Sequence, residues 1–336
     1  MKSRKILLDH GSGGKASHDL IKNTFFPQFN NPFLLECDDS AVFNVGDSKL
    51  AFSTDSYVVD PIFFPGGDIG SLAIHGTVND LAMRGARPLY LSVGFIIEEG
   101  FDLSDLEKIL LSMKSAVHEA EVLIVAGDTK VVSKGNADKL FINTSGIGII
   151  EGDIDISGHN AQIGDKVIIS GTIGDHGIAV LSRREGLELD FPLSSDSAPL
   201  NRLVFEMLEV SPNIHVLRDP TRGGIGTSLN EIAAQSDVGI MIVEEEIPVR
   251  SEVLGACELL GLDPLYVANE GKLIGLVDPR DADRILDKMK ANRYGHEARI
   301  IGEAVPDHNG RVFMKTRVGG TRIVDMLTGA QLPRIC

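Results

Sequence analysis

The sequence predicts an α/β protein of two domains, and three observations carry that expectation. Short β-branched runs alternate with amphipathic helical stretches along nearly the whole chain, the pattern of helices laid over sheets. The chain has 336 residues, about two ordinary domain lengths, each able to bury its own core. A polar, turn-rich stretch, Glu151–Asp165 (EGDIDISGHNAQIGD), interrupts the alternation near the middle. The expected organisation is an N-terminal domain over residues 1–152, a C-terminal α/β domain over 153–325, and a tail over 326–336.

Taken in order, a first helix is expected near Ala16–Phe25, after a glycine-rich turn. Strands follow at Ala41–Val45, Leu50–Val59, Leu89–Ile97, Val122–Ala126 and Leu140–Ile150, each rich in β-branched or aromatic residues. Helices Ile69–Met83 and Leu103–Glu119 fall between them, the second capped by Asp102 or Ser104. Beyond the boundary come a strand Lys166–Ser170 and helices around His176–Arg183, Ser197–Leu208 and Ile225–Ala234. Strands near Gly239–Val243 and Leu273–Val277, and helices Ser251–Leu260 and Ala282–Asn292, precede closing strands Ala298–Ala304 and Arg311–Thr316. After Met326 the run Leu-Thr-Gly-Ala-Gln-Leu-Pro-Arg-Ile-Cys has neither helical nor strand period and reads as a mobile tail.

Composition narrows the function. Apolar residues at 43% and charged residues at 24% are ordinary for a globular chain. Against 48 Asp+Glu stand 32 Lys+Arg, a net charge of -16, and both halves are acidic. That balance argues against a nucleic-acid binder. No apolar run approaches the ~20 residues of a membrane span. Only Ile6-Leu7-Leu8 follows the basic start, too little for a signal-peptide core. Three scattered cysteines (Cys37, Cys257, Cys336) make neither a disulfide framework nor a zinc site. A cytoplasmic, reducing location is expected.

Two motifs point to chemistry. His10-Gly-Ser-Gly-Gly-Lys15 precedes a helix, so its backbone N–H groups can cradle an anion; a plain flexible turn is the competing reading. It is not a P-loop, because Asp9 and Ala16 stand where that motif needs Gly and Ser/Thr. A helix end contributes only ~0.3–1 kcal/mol, so Lys15 or a metal must help hold a polyphosphate. Carboxylates also recur where apolar strands stop: Asp38 and Asp39, Asp55 after Thr54, and Asp128 before Thr129 and Lys130. Asp80 follows Asn79 inside an apolar helix. Singly, each reads as a cap or turn carboxylate. Together, Mg²⁺ bridged to substrate phosphates is a partner that suits several of them.

The motifs carry a resemblance over essentially the full length. They are His10-Gly-Ser-Gly-Gly14, Phe52-Ser-Thr-Asp-Ser-Tyr57, Phe63-Phe-Pro-Gly-Gly67, Asn79-Asp80 and Gly127-Asp-Thr-Lys-Val-Val132. The second half adds Ser170-Gly-Thr-Ile-Gly-Asp-His-Gly177, Arg218-Asp-Pro-Thr-Arg-Gly-Gly224, Ala268-Asn-Glu-Gly-Lys272 and Leu332-Pro-Arg-Ile-Cys336. The chain resembles the HypE family, carbamoyl dehydratases of hydrogenase maturation. These lie within the ATP-binding superfamily of aminoimidazole ribonucleotide synthetase, selenophosphate synthetase and thiamine monophosphate kinase. The aspartates and glycines are shared across that superfamily, and the terminal Pro-Arg-Ile-Cys is specific to the maturation factor. A selenophosphate synthetase is the poorer match, since it places a reactive Cys or selenocysteine near the glycine turn and the nearest here is Cys37.

The resemblance implies a two-domain aminoimidazole ribonucleotide synthetase-like fold, N-terminal sheets pairing across a homodimer, and ATP in a cleft between domains. A partner carbamoyltransferase (HypF) would load a carbamoyl group on Cys336. ATP would then drive its dehydration to a thiocyanate, and the cyanide would pass to iron on a HypC–HypD complex. Asp39, Asp55, Asp80 and Asp128 are the expected metal ligands, with Asp38 in support. Gly11, Ser12, Gly13, Gly14 and Lys15 are expected to hold phosphates, with Thr54, Asn79, Thr129, Asp219, Thr221, Arg222, Gly223 and Gly224 completing the nucleotide site. Glu270 and Lys130 are the candidate bases, Glu270 the better one at neutral pH. His176 is a second-rank site residue. From Asp325 to Cys336 the chain spans at most ~36 Å, enough to visit its own cleft and a partner's active site in turn.

Overall fold

The computed structural model describes residues 5–186, 193–329 and 332–336. The first half forms a five-stranded sheet from β1 (Ala41–Val45), β2 (Ser48–Tyr57), β3 (Arg87–Glu98), β4 (Leu123–Val132) and β5 (Leu140–Ile150). Their order is β1-β2-β5-β3-β4, antiparallel except for the β3–β4 pair. A parallel pair needs a crossover, and helix α3 (Leu103–Ala120) supplies it. Before the sheet, helix α1 (Lys15–Leu20) loosens into a π turn over Ile21–Phe25.

Helix α2 (Ile69–Met83) is buried around nearly its whole circumference, as befits an apolar helix without a polar face. Asp68 caps it, accepting from the N–H groups of Gly70 and Ser71 at 2.7 and 3.1 Å. Only glycine fits at Gly76, where a Cβ would lie 2.2 Å from the Tyr57 hydroxyl. One side of α2 packs on the sheet, and its end (Ala82, Met83) joins a core of the second half with Leu200, Leu203 and Met207.

The second half is a seven-stranded sheet: β6 (Lys166–Ile169), β7 (Ile214–Arg218), β8 (Gly239–Val243), β9 (Ile274–Val277), β10 (Arg299–Val305), β11 (Val312–Lys315) and β12 (Thr321–Val324). The order is β12-β11-β8-β10-β6-β9-β7. Helices cover both faces. Val167 and Ile169 meet α6 (Gly224–Ser236) on one side, while Ile168 meets α5 (Asn201–Val210) and α8 (Ala282–Ala291) on the other. Helices α4 (Asp175–Glu185) and α7 (Ser251–Leu260) pack on each other and bury Cys257. Among the described residues no helix is long and apolar enough to cross a membrane.

Strands β7 and β12 have no counterpart in the sequence expectation, and three expected elements depart from it. β4 runs on to Val132 instead of stopping at Ala126, because its second half pairs in register with Gly94–Glu98. The helix expected from Ser197 starts only at Asn201. Pro199 disfavours helix at the residue before it, and Asn79 holds both the Ala198 carbonyl and the Leu200 N–H. The tail expected to be mobile is docked over Leu332–Cys336, with Ile335 and Cys336 in the core beneath the first sheet.

Asp38 ties the two halves together. Its carboxylate accepts from Ser157 Oγ at 2.7 Å and Gly158 N at 2.9 Å, and pairs with the buried Arg84 guanidinium. Removing one partner of a buried pair strands the other charge. Asp38→Ala is therefore expected to lower unfolding stability by about 3 kcal/mol, measured as a drop in the urea midpoint.

Candidate active site

The cleft lies between the glycine turn, the C-terminal end of β2, helix α2 and the β7–α6 turn. Its volume is about 350 Å³, and its wall includes Gly11, Gly13, Asp39, Thr54, Asp55, Asp80, Asp219, Thr221 and Arg222. The sequence folds the glycine turn this way because two glycines are irreplaceable there. Gly13 has φ +77°, and a Cβ on Gly14 would sit 2.2 Å from the Leu327 carbonyl, which accepts from Lys15 N at 2.8 Å. Ser12 Oγ is turned inward onto the Asp9 carbonyl. Arg222 Nη1 reaches across to the Gly11 carbonyl at 3.2 Å, joining the turn to the second half.

Four aspartates face this space, with Glu231 at its wall. Asp39 is clamped by Arg218 Nη1 at 2.7 Å, Asp80 accepts from Ser53 Oγ at 2.5 Å, and Asp55 accepts from the Ser56 N–H at 2.7 Å. Asp219 is buried beside them. Burial raises the pKa of all four, and neighbouring aspartates push Asp80 and Asp219 up further. Carboxylates crowded out of water by one another are relieved by a divalent cation. Among the described residues no three Asp, Glu, His or Cys groups already converge at ligating distance. Mg²⁺ keeps waters and takes phosphate oxygens, so this looser set fits it.

The terminal residue lies next to the cleft. Cys336 is buried, and burial pushes its thiol up to about 12 against the pull of Arg222. Glu270 is 3% exposed, its Oε1 has no hydrogen-bond partner, and burial with the charges of Asp219 and Asp55 pushes its carboxyl well up. Arg222 feels Cys336, Asp55 and Glu270 together and is held protonated by them. Asp196 sets the loop of Glu270 by accepting its backbone N–H at 3.0 Å, and Lys272 neutralises Asp196 at 3.0 Å.

Several expected site residues stand elsewhere. Asp38 is engaged by Arg84, Ser157 and Gly158 and does not line the cleft. Asn79 spends its amide on Ala198, Leu200 and the Glu270 carbonyl, which makes it a stitch between halves. Gly223 and Gly224 shape a left-handed turn at φ +82° and +59°, where a Cβ would strike Thr227 and the Leu265 carbonyl. His176 does not reach the sulfur. Its Nε2 donates to the Ile335 carbonyl at 2.8 Å, which leaves Nδ1 to accept from Ser195 Oγ at 2.7 Å, and burial lowers its pKa.

Asp128, Thr129 and Lys130 lie outside this chain's cleft. Ser56, Asn143, Gly94 and Asp128 stand in register across four strands, three strand spacings or about 14 Å. Asp128 and Lys130 pair with each other at 2.8 Å in the open. Sequence reasoning missed Arg218, Ser53 and Glu231. Glu231 takes His18 Nε2 at 2.7 Å and lies 4.0 Å from Arg218. Arg218 sits inside a quoted motif, but nothing in the pattern aims it at Asp39.

Residues 37–150 match the family model of the AIR synthase related protein N-terminal domain, and residues 162–315 match that of its C-terminal domain. These matches, with the two sheets and the acidic cleft, define the class: a two-domain AIR synthase related protein. Carbamoyl dehydratase HypE of Cupriavidus necator is 52% identical, with 100% of this chain and 96% of the relative covered. The crystal structure of a HypE in complex with ATP superimposes with a TM-score of 0.83 at 52% identity, covering 99% of this chain and 100% of that one. A HypE–HypF complex gives 0.88 at 50% identity, covering 92% and 99%. The chain belongs to the HypE family of carbamoyl dehydratases.

Proposed function

We propose that this protein uses ATP to dehydrate an S-carbamoyl group on Cys336 to a thiocyanate, supplying cyanide for the iron of a [NiFe] hydrogenase. The observation that carries the reading is the terminal thiol, buried beside Glu270 and Arg222 at the nucleotide cleft. Asp39, Asp55 and Asp80 would hold Mg²⁺, whose charge would neutralise the nucleotide phosphates. The glycine turn, Thr54, Thr221 and Arg222 position the nucleotide.

The amide oxygen is a poor leaving group until it is phosphorylated. That oxygen attacks the γ-phosphorus, ADP leaves, and one N–H proton is lost, giving an S-bound imidoyl phosphate. Loss of the second N–H proton expels phosphate and closes the C≡N bond. The balance is S-carbamoyl plus ATP to S-cyanate, ADP, phosphate and a proton. Glu270 is the base: its Oε1 is buried with no hydrogen-bond partner, burial raises its proton affinity, and the opposing pull of Arg222 favours the ionised form that can accept a proton. The site is dry on the sulfur side, where Ile335, Val59, Phe64 and Ala268 pack, so water is kept from the activated intermediate.

Docking suits dehydration and not loading. A thiol raised to about 12 is a poor nucleophile near neutrality, so carbamoylation by a HypF-type transferase takes a released tail. The same release serves delivery to a HypC–HypD complex. The free cysteines suit a cytoplasmic setting. The test is the intact mass of the C-terminal peptide after incubation with carbamoyltransferase, carbamoyl phosphate and ATP. A carbamoyl adduct that loses water only with hydrolysable ATP is expected; an unmodified Cys336 would sink the reading.

The unit that works is a homodimer. The outer face of the first sheet leaves Phe52, Tyr90 and Ile96 exposed, and edge strand β4 exposes Leu123, Ile124, Val125 and Val131. A monomer rarely leaves so much apolar sheet uncovered. Pairing through this face would carry Asp128, Thr129 and Lys130 to the other protomer's nucleotide, the role their own cleft cannot give them. Mixing Lys130→Ala with Glu270→Gln chains should then restore activity that neither variant has alone. Mixtures no better than the separate variants would refute the shared site.

A further inference from the structure

Resting on the dehydratase reading, we propose that Arg184 is a positioning residue for Cys336: its guanidinium latches the C-terminal tail and sets the balance between docked and released states. The four terminal carbonyls are all held. Arg184 Nη1 donates to the Pro333 carbonyl at 2.7 Å and Nη2 to the Arg334 carbonyl at 2.7 Å, while Nε donates to the Asp60 carbonyl at 2.6 Å. His176 takes the Ile335 carbonyl, and Val58 N–H takes that of Cys336 at 3.0 Å. Asp60 N–H adds a second bond to Arg334 at 3.2 Å, so the tail lies antiparallel along residues 58–60.

The placement of Arg184 makes it the controlling contact. Helix α4 carries His176 at one end and Arg184 at the other, about 12 Å apart along the axis. One rigid helix therefore grips the tail at both ends of its last three peptide groups. Arg184 alone ties two tail carbonyls and the receiving segment at once, with three donors of a single planar cation. It touches neither the sulfur nor the cleft wall, so its loss leaves the reacting groups in place. Recognition runs through main-chain oxygens, and the side chain of Arg334 adds a bond to the Val58 carbonyl at 2.9 Å and an ion pair with Asp138.

The test uses the full-length protein without nucleotide, with iodoacetamide as probe and peptide mass as readout. Alkylation of Cys336 requires release, so its rate follows the released fraction. Arg184→Met, which keeps the stem and removes the donors, should raise that rate about tenfold or more, the loss of two charge-assisted bonds. Arg184→Lys, with one donor group, should fall between, and it keeps the test usable if the methionine variant folds poorly. Buried Cys257 should stay unmodified and the thermal midpoint should hold. Single-turnover dehydration of the carbamoylated variant should slow while loading does not. An unchanged Cys336 rate in both variants, or an equal rise at Cys257, would overturn the latch. Because alkylation needs no ATP, faster alkylation in a protein whose wild type fails to dehydrate would support the latch and fail the function.

Discussion

Cys336→Ala should abolish cyanide delivery and leave ATP affinity unchanged, as measured by thiocyanate formation alongside nucleotide titration. On the proposed function the residue removed is the acceptor of the carbamoyl group, and neither remaining thiol replaces it: Cys257 is buried between helices, and Cys37 lies on the surface with its thiol turned onto the Leu34 carbonyl, on a different segment from the tail. The cleft itself is built from residues of both halves that do not depend on the sulfur. Docking also persists in the variant, because the tail is held by its carbonyls and by Ile335 in the core. Cyanide delivery by the alanine variant would end the carrier assignment. Weakened ATP binding with docking intact would mean that the thiol belongs to the nucleotide site.

Glu270→Gln should stop the reaction after loading. The amide analogue keeps size and burial while it removes the proton acceptor, and general-base loss costs about 10²–10⁴ in rate. Carbamoylated Cys336 should accumulate, with the mass of the C-terminal peptide fixed at the carbamoyl form for many wild-type half-lives. The backbone of residue 270 stays tied to Asp196 and Asn79, so the loop should keep its shape. Dehydration at the wild-type rate would move the base to Lys130 or to the nucleotide phosphate.

Much of this architecture was legible in the chain. Alternating β-branched and helical periods located most of the elements, because buried strands such as Lys166–Ile169 and a largely apolar helix such as Ile69–Met83 leave plain marks, whereas the short strands Ile214–Arg218 and Thr321–Val324 escaped. The glycine turn and Asp39, Asp55, Asp80 and Asp219 were legible as types of residue in motifs. What the sequence concealed is direction and adjacency. Asp38 and Asp39 are neighbours, yet one enters the Arg84 pair between halves and the other meets Arg218 at the cleft. Asp128 resembles the other strand-end aspartates, but strand order puts it on an edge. The docking of the tail left little mark, since most of its hydrogen bonds are made by peptide oxygens, which every residue carries.

The docked tail also changes what kind of kinetics this enzyme has. In the proposed reaction its carbamoyl substrate is covalently attached and delivered to a fixed seat, so the reaction is first order in loaded protein, and dilution does not slow it. Only ATP is collected from solution, and only ATP has a Michaelis constant. Competition for the other substrate takes an unusual form: a free peptide of the terminal sequence would have to displace a segment of its own chain. The steady-state rate is therefore open to control by the partners that draw the tail out.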